Sequence, residues 1–330
     1  MRLGLSMYGT VFSMGLHPES ERVTITALDL LQQALRMGLS GVELPAQLLD
    51  DTNIDAVKRF AREHGMFINV DTGGYHPEKL SNVIELSARV GAETVRTVVG
   101  GADFGGDRRP MAGRWSEFLR DVLAAFKEAT RVAEQVGVDF AIENHQDLAS
   151  EELVWLCESI GSTRFGINLD TGNPLATAEE PFTFFERVAP YLKNVHLKDY
   201  DIFLSDEGYR LVRCPLGQGV IDFPGLFQMI SSHTPNMTMA IELGALEARH
   251  VRVLADDFWP LYPQRSAAQL AHVIRFVRDN ARIAGDWRTP YERGESTEEI
   301  SRYEEHQLAA SLAYLKGLDS SLWETRQPAR

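Results

Sequence analysis

Residues 139–147, DFAIENHQD, change abruptly from apolar to polar side chains. The first half is typical of a short buried β-strand, and Glu143, Asn144 and His145 follow it directly. A carboxylate at the end of a buried run is costly to desolvate, so this position predicts either contact with solvent or a partner for the charge. The same change from apolar to polar residues recurs elsewhere in the chain, which makes a shared explanation worth testing.

Short apolar segments alternate with amphipathic helical segments along the chain. Eight predicted strands are each followed by helical periodicity, and they occupy residues 3–7, 41–44, 66–70, 93–99, 138–142, 164–169, 194–197 and 237–243. Strands that alternate with helices form parallel sheets with right-handed crossovers. Eight such units predict an α/β fold, a closed (β/α)₈ TIM barrel.

An open doubly wound sheet is the alternative fold, and it would usually carry a nucleotide-binding loop. Residues 100–109, GGADFGGDRR, are rich in glycine but lack the spacing and context of a phosphate-binding loop. We interpret them as a flexible loop after the fourth strand.

The chain is predicted to divide into a barrel over residues 1–285 and a C-terminal helical extension over residues 286–330. Ser296 and Glu299 form a capping-box pattern, which predicts a helix from about residue 297 to 316. Apolar residues on this helix, and the aromatic residues of 256–265 (DDFWPLYPQR), must pack on the barrel or on a partner. We therefore expect a homo-oligomer or a complex with a small accessory subunit.

Composition excludes several classes of partner. The net charge is -14, so the chain lacks the basic field that attracts nucleic acid or an anionic membrane. Two cysteines are too few for a disulfide framework, and no apolar run has the length of a membrane span or the pattern of a secretory signal. We expect a cytoplasmic protein.

Four consecutive predicted strands end in residues that can bind a metal ion. These are Glu143, Asp170, His196 and Glu242. Individually they could be a solvated strand end, a helix cap, a core histidine and a salt-bridge partner. Together they meet at one rim of a parallel barrel, which favours a divalent metal site. Three carboxylates and one imidazole suit Mn²⁺, Mg²⁺ or Co²⁺, with Zn²⁺ and Fe²⁺ as alternatives.

The motifs around these residues resemble the sugar phosphate isomerase/epimerase superfamily, the xylose isomerase-like TIM barrels. The resemblance covers about residues 2–285 and rests on AIENH (141–145), LDTGN (169–173), NVHLKD (194–199), AIELG (240–244) and LGQGVIDFPGLF (216–227). It implies one catalytic divalent ion, commonly Mn²⁺, held by Glu143, Asp170, His196 and Glu242. It also implies a keto or aldo sugar, an inositol derivative or a related polyol as substrate.

The resemblance further implies that Glu143 and Glu242 transfer the proton from opposite sides of the substrate. His145 is an additional candidate base, since it lies two residues after Glu143 and its ordinary pKa suits proton transfer near neutrality. Asn173 stands where many members of the superfamily have a histidine. Because asparagine cannot act as a general base, no residue at this position can take the role of that histidine. The candidate substrate-binding residues are Lys198, Arg213 and Asn173, and weaker candidates for the cavity wall are Tyr8, His17, Glu43 and His76.

The leading hypothesis for function is a metal-dependent isomerase or epimerase that removes a proton next to a carbonyl. A lyase using the same enolisation is the alternative, and the catalytic subunits of C-glycoside deglycosidases, which act on 3-keto glycosides with a small partner, are similar barrels. A sugar-binding barrel without catalysis is a further alternative, but it would not be expected to retain all four ligands. An endonuclease is disfavoured by the acidic net charge.

Overall fold

Eight parallel strands close into a barrel, which confirms the predicted TIM barrel. The computed structural model describes residues 1–244, 246–283, 285–318 and 320–323. The barrel strands in chain order are β1 (Arg2–Ser6), β2 (Gly41–Pro45), β3 (Phe67–Gly73), β4 (Thr94–Val98), β5 (Asp139–Glu143), β6 (Phe165–Asp170), β7 (Leu192–Leu197) and, after two strands of a second sheet, β10 (Thr238–Ile241). Strand β1 pairs in parallel with both β2 and β10, so the sheet has no free edge.

Helices surround the barrel, and they have the bounds α1 (Ala27–Arg36), α2 (Ile54–Glu63), α3 (Pro77–Val90), α4 (Trp115–Val136), α5 (Ser150–Ile160), α6 (Pro181–Val188), α7 (Phe223–His233), α8 (Ala267–Asn280) and α9 (Thr297–Gly317). Their apolar faces meet the buried strands in one large core. Local sequence explains their ends. For example, Thr26 and Asp29 form a capping box at the start of α1.

The last helix, α9, packs against the barrel core. Its residues Leu308, Leu312 and Leu315 are buried in the same cluster as the barrel strands. The Tyr314 ring lies 6.1 Å from that of Phe223 on α7. On the other side, a cleft is lined by α9 together with the end of α1. Helix α9 therefore occupies the position between α7 and α1 where an eighth barrel helix belongs.

A second, four-stranded sheet stands next to the rim of the barrel. Strands β8 (Asp199–Ser205) and β9 (Gly208–Cys214) form an antiparallel hairpin, and β11 (Arg249–Val251) and β12 (Ala281–Arg282) pair on its two sides. Sequence analysis assigned no strands to the hairpin. Helix α8 packs on this sheet rather than on the barrel, and Val277 joins its separate apolar cluster.

The apolar residues that suggested a partner are covered within the chain. Phe258 and Tyr262, in the segment with the aromatic residues, are buried in the cluster of the second sheet. The apolar positions of α9 face the barrel. An oligomer or an accessory subunit stays a prediction.

In the described ranges, no helix combines the length and the apolarity needed to cross a membrane.

The glycine-rich loop after β4 is fixed by one arginine. Arg108 is 1% exposed and donates to both carboxylate oxygens of Glu152, at 3.1 and 2.6 Å. Its guanidinium also lies between the rings of Trp115 and Tyr262, 3.9 and 3.8 Å from the ring centres. These contacts hold residues 100–108 against the second sheet, at the edge of the barrel mouth. They give the loop an anchor that sequence analysis did not anticipate.

Candidate functional site

Three of the four predicted ligands converge at the carboxyl ends of adjacent strands. Strands β5, β6 and β7 are neighbours in the barrel, and the register places Asp170 beside His196. Glu143, Asp170 and His196 each offer one ligand atom, and these atoms lie within 4.8 Å of one another. All three side chains are buried. The geometry is that of a candidate metal centre.

A buried carboxylate from β2 fixes the orientation of His196. The Nε2 atom of His196 lies 2.8 Å from Oε2 of Glu43, and Nδ1 lies 3.5 Å from Oε2 of Glu143. Among the described residues, neither His196 Nδ1 nor Glu143 Oε2 has a hydrogen-bond partner. A metal-binding histidine usually donates its other ring N–H to a carboxylate in this way.

The same carboxylates make the centre attract positive charge. Burial lowers the pKa of His196, but Glu43 and Glu143 outweigh burial and raise this pKa to about 9. The free Nδ1 therefore faces carboxylates that favour a proton or a metal ion at that position. The donor set of oxygen and imidazole atoms fits a divalent metal such as Mn²⁺, Co²⁺ or Zn²⁺.

Lys198 links the fourth predicted ligand to the cluster. Its ammonium lies 2.5 Å from Oδ2 of Asp170 and 2.6 Å from Oε2 of Glu242. Burial opposes both charges, but each stabilises the other: the pKa of Lys198 is held well above its ordinary value, and that of Glu242 is lowered to about 2. Gly244 donates its N–H to the other oxygen of Glu242 at 3.2 Å, and a Cβ at this position would lie only 2.3 Å from that oxygen. Glu242 is thus held as an ionised carboxylate.

A second group of charges lies across the barrel mouth on β3 and β4. Arg96 pairs with Glu43 at 3.3 Å and with Glu143 at 3.2 Å. The hydroxyl of Tyr8 donates to Oδ1 of Asp71 at 3.2 Å. Burial raises the pKa of Asp71 to about 7, although Arg96 opposes this shift. Arg96 is therefore a fixed positive charge shared by the carboxylates of the site.

Below the charged cluster, amides and a hydroxyl replace the usual apolar filling of the barrel. Asn69 donates to Asn194 at 3.0 Å, and Asn194 donates to Asn168 at 2.7 Å and to Glu43 at 3.4 Å. Thr238 donates to Asn194 at 2.8 Å. This buried network supports Glu43 from beneath and so supports the orientation of His196.

A cavity of about 740 Å³ opens above the cluster. This size suits a small organic ligand. Charged and polar side chains are frequent in its wall, and they include Tyr8, His17, Asp71, Lys79, Arg96, Glu143, His145, Gln146, Lys198, Arg213, Glu242, Glu247 and Arg249.

The predicted site residues occupy different positions around this cavity. Glu143, His145, Lys198, Arg213 and Glu242 line it. Burial lowers the pKa of His145, which keeps its imidazole neutral near pH 7.

Two predicted residues are engaged with other parts of the protein. Arg213 already donates to Gln307 and to the carbonyl of Gly9, both at 2.6 Å. Asn173 is buried behind the wall, where its Oδ1 accepts from Gln146 at 3.3 Å. His76, one of the weaker candidates, lines a shallow cleft beside α3.

Sequence analysis missed several residues of the wall, among them Asp71, Arg96, Gln146 and Arg249. Asp71 lies on β3, directly after the predicted strand, and Arg96 lies on β4, so the alternation of inward and outward side chains could have identified them. Gln146 has a left-handed φ of 68° and accepts from the N–H of Gly105 at 2.9 Å. Its conformation and that of the segment carrying Arg249 depend on distant loops.

Asp199 follows Lys198 but does not pair with it, because Lys198 is paired with Asp170 and Glu242. Asp199 instead accepts the N–H of Tyr200 and four further backbone N–H groups, from Gly217, Gly219, Val220 and Ile221. It therefore holds the loop that follows the β8–β9 hairpin.

Comparison with known proteins agrees with this geometry. A model of the family described as xylose isomerase-like TIM barrel matches residues 31–256. The chain belongs to this family. Among its relatives is 3-oxo-isoapionate decarboxylase of Pectobacterium atrosepticum, which is 24% identical over 251 residues, or 73% of this chain and 85% of the relative.

Solved structures share the fold of this xylose isomerase-like barrel. D-psicose 3-epimerase of Clostridium cellulolyticum H10 has a TM-score of 0.61 at 13% identity. The match covers 96% of this chain and 99% of the epimerase chain. The IolI protein, solved with a bound zinc atom, has a TM-score of 0.53 at 14% identity. The match covers 85% of this chain and 96% of the IolI chain. At these identities the likeness shows the fold alone.

Proposed function

We propose that the protein is a divalent-metal-dependent isomerase or epimerase acting on a keto sugar or a sugar derivative. The observation that carries this proposal is the convergence of Glu143, Asp170 and His196 beneath a cavity whose wall contains Glu242. A divalent ion held by these four residues would act as a Lewis acid and stabilise negative charge on the carbonyl oxygen of the substrate. Mn²⁺ is the ion we expect, with Co²⁺, Mg²⁺ and Zn²⁺ as alternatives.

The two glutamates provide the proton transfer. A carboxylate oxygen of Glu143 or Glu242 removes the proton next to the carbonyl, the C–H electron pair forms a carbon–carbon double bond, and the carbonyl oxygen takes up the negative charge. Return of the proton to the former carbonyl carbon, with transfer of the neighbouring hydroxyl proton to the enediolate oxygen, gives an isomer. Return of a proton to the opposite face of the original carbon gives an epimer. Lys198 keeps Glu242 ionised, which is the form that can accept a proton.

His145 is a further candidate for proton transfer, because it lines the cavity and its lowered pKa keeps it neutral. Lys198 and Arg96 supply positive charge for substrate oxygens. Arg213 lines the cavity but already donates two hydrogen bonds within the protein. It therefore contributes to substrate binding partly by holding its place in the cavity wall. Asn173 would act on the substrate only through Gln146.

A lyase is the second candidate, and the relative from Pectobacterium atrosepticum favours it because that protein is a decarboxylase. Loss of carbon dioxide from a 3-oxo acid leaves the same electron-rich enolate as proton removal, so one site can serve both reactions. Elimination from a 3-keto glycoside, as in C-glycoside deglycosidases, also begins with this proton removal. A sugar-binding barrel without catalysis would not need the convergence of Glu143, Asp170 and His196 at the base of the cavity.

Solvent-deuterium exchange tests the proposal without knowledge of the natural substrate. The metal-loaded protein is incubated in D₂O with a panel of keto sugars and 3-oxo sugar acids, and deuterium incorporation and carbon dioxide release are followed. Exchange without carbon dioxide supports proton removal by an isomerase, an epimerase or an eliminating lyase, and carbon dioxide release supports the decarboxylating lyase.

Glutamine variants identify the bases in the same assay. Glu143→Gln and Glu242→Gln should stop exchange, whereas Glu207→Gln, an exposed carboxylate paired with Arg252, should not. Full exchange in both site variants would refute the assigned proton transfer.

A further inference from the structure

Arg249 is a buried guanidinium without a full set of partners. It begins strand β11, lines the cavity and is 8% exposed. Within the described ranges, its Nε and Nη1 atoms have no hydrogen-bond partner. The carboxylate paired with it, Glu247, is 3.5 Å away and 46% exposed, so it neutralises the charge only weakly. A buried charge in this state is costly unless a ligand completes its hydrogen bonds.

Surrounding residues hold Arg249 in place, and Tyr200 and Glu247 are its electrostatic neighbours. The ring of Phe104 covers the guanidinium at 3.5 Å from the ring centre. The loop carrying Phe104 is fixed by a hydrogen bond from Gly105 to Gln146 at 2.9 Å and by one from the hydroxyl of Tyr262 to the carbonyl of Gly106 at 2.6 Å. Stacking occupies the face of a guanidinium and leaves its N–H edge free for a planar acceptor.

The other cations of the cavity are already engaged. Lys198 pairs with Asp170 and Glu242, and Lys79 donates to the carbonyl of Gly73 at 2.8 Å. Arg213 donates to Gln307 and Gly9. Arg249 therefore stands out in this wall as the cation with unused donors, and it shares the cavity with Glu242 and His145.

We propose that Arg249 binds a carboxylate of the substrate, so that the natural substrate is a keto-sugar acid rather than a neutral sugar. This inference rests on the proposed function and specifies its substrate class. A carboxylate is favoured over a phosphate because a single arginine beside Glu247 offers too little positive charge for a dianion. The substrate would extend from Arg249 towards Glu242 and the metal centre.

Calorimetry with paired probes tests this inference without turnover. The metal-loaded protein is titrated with glycolate, D-erythronate and D-gluconate, and separately with their neutral counterparts ethylene glycol, erythritol and sorbitol. At least one acid should bind about tenfold to a hundredfold more tightly than its polyol, the range of a charge-assisted pair. If no acid binds more tightly than its polyol, the proposal is overturned.

Three variants assign the preference to this residue. Arg249→Gln should abolish the preference for the acid, and Arg249→Lys should retain part of it, because the charge remains but the fork is lost. Arg252→Gln is the matched control, since Arg252 lies three residues further along the chain and is paired with Glu207 at 2.9 Å. An unchanged preference in Arg249→Gln, or its loss in Arg252→Gln, would contradict the proposal.

The result for Arg249 can be distinguished from the result for the proposed function. Preference for acids with no deuterium exchange on any substrate would refute the proposed chemistry alone. Exchange with neutral keto sugars and no preference for acids would refute the role of Arg249 alone.

Discussion

Replacement of Arg108 by methionine should destabilise the fold far more than replacement of its neighbour Arg109. Arg108 donates to both oxygens of Glu152, to the carbonyl of Asp147 and to the carbonyl of Leu261, and it is fully enclosed. Methionine keeps most of the apolar stem and removes the charge. The change therefore isolates the loss of the guanidinium.

The expected magnitude follows from these contacts. Removing one partner of a buried ion pair costs about 3–5 kcal/mol, because the other charge stays buried without compensation. Loss of the contacts with the rings of Trp115 and Tyr262 adds about 0.5–2 kcal/mol each. Glu152 keeps hydrogen bonds from the Trp115 indole at 2.7 Å and from the backbone of Ala149 at 2.8 Å, which offset part of the cost. We expect a net loss of about 4 kcal/mol.

Urea unfolding of the wild type, Arg108→Met and Arg109→Met measures this difference. Arg109 is half exposed and pairs with Asp107 in solvent, so its replacement should change the midpoint little. A double variant with Glu152→Gln should recover part of the stability, because it removes the uncompensated charge. A loss below about 1 kcal/mol for Arg108→Met, or one equal to that of Arg109→Met, would refute the reasoning.

Three further predictions concern the metal, the candidate base and the last helix. Chelation should abolish deuterium exchange, and Mn²⁺ or Co²⁺ should restore it best; full activity of metal-free protein would contradict the metal centre. His145→Ala should retain the metal but lose turnover by a factor of about 10², and near-normal turnover would limit His145 to a positioning role. Leu315→Ala, at a side chain that is 1% exposed, should cost about 2–5 kcal/mol in urea unfolding. Leu204→Ala, at a side chain that is 54% exposed, is its control, and equal effects would show that α9 does not contribute to the core.

The barrel and the convergence of polar strand ends could be predicted because their signals are local. Strand β6 is buried along its whole length, so it appears in the sequence as a mostly apolar run, interrupted by Asn168, that ends at Asp170. Parallel topology then places the ends of successive strands at one rim, which brought Glu143, Asp170 and His196 together without any knowledge of loops. The repeated alternation of strand and helix was sufficient for the fold.

Contacts between distant segments could not be predicted in this way. Helical periodicity shows that α8 and α9 each have an apolar face, but it does not show which of them packs on the barrel. Lys198 and Glu242 follow two neighbouring strands, but the sequence does not show which polar group at the rim Lys198 meets. Arg249 reaches the cavity because β11 pairs with β9, and nothing in the surrounding sequence specifies this pairing.

The position of α9 has a consequence for synthesis of the chain. The groove between α1 and α7 is closed by residues that the ribosome adds last among the described helices. At the usual rate of elongation, the interval between completion of α7 at His233 and of α9 at Gly317 is on the order of 4 to 17 s. During that interval the apolar groove between α1 and α7 is exposed to water. The growing polypeptide therefore carries an exposed apolar surface until α9 is made, and its protection by chaperones should govern the yield of folded protein in the cell.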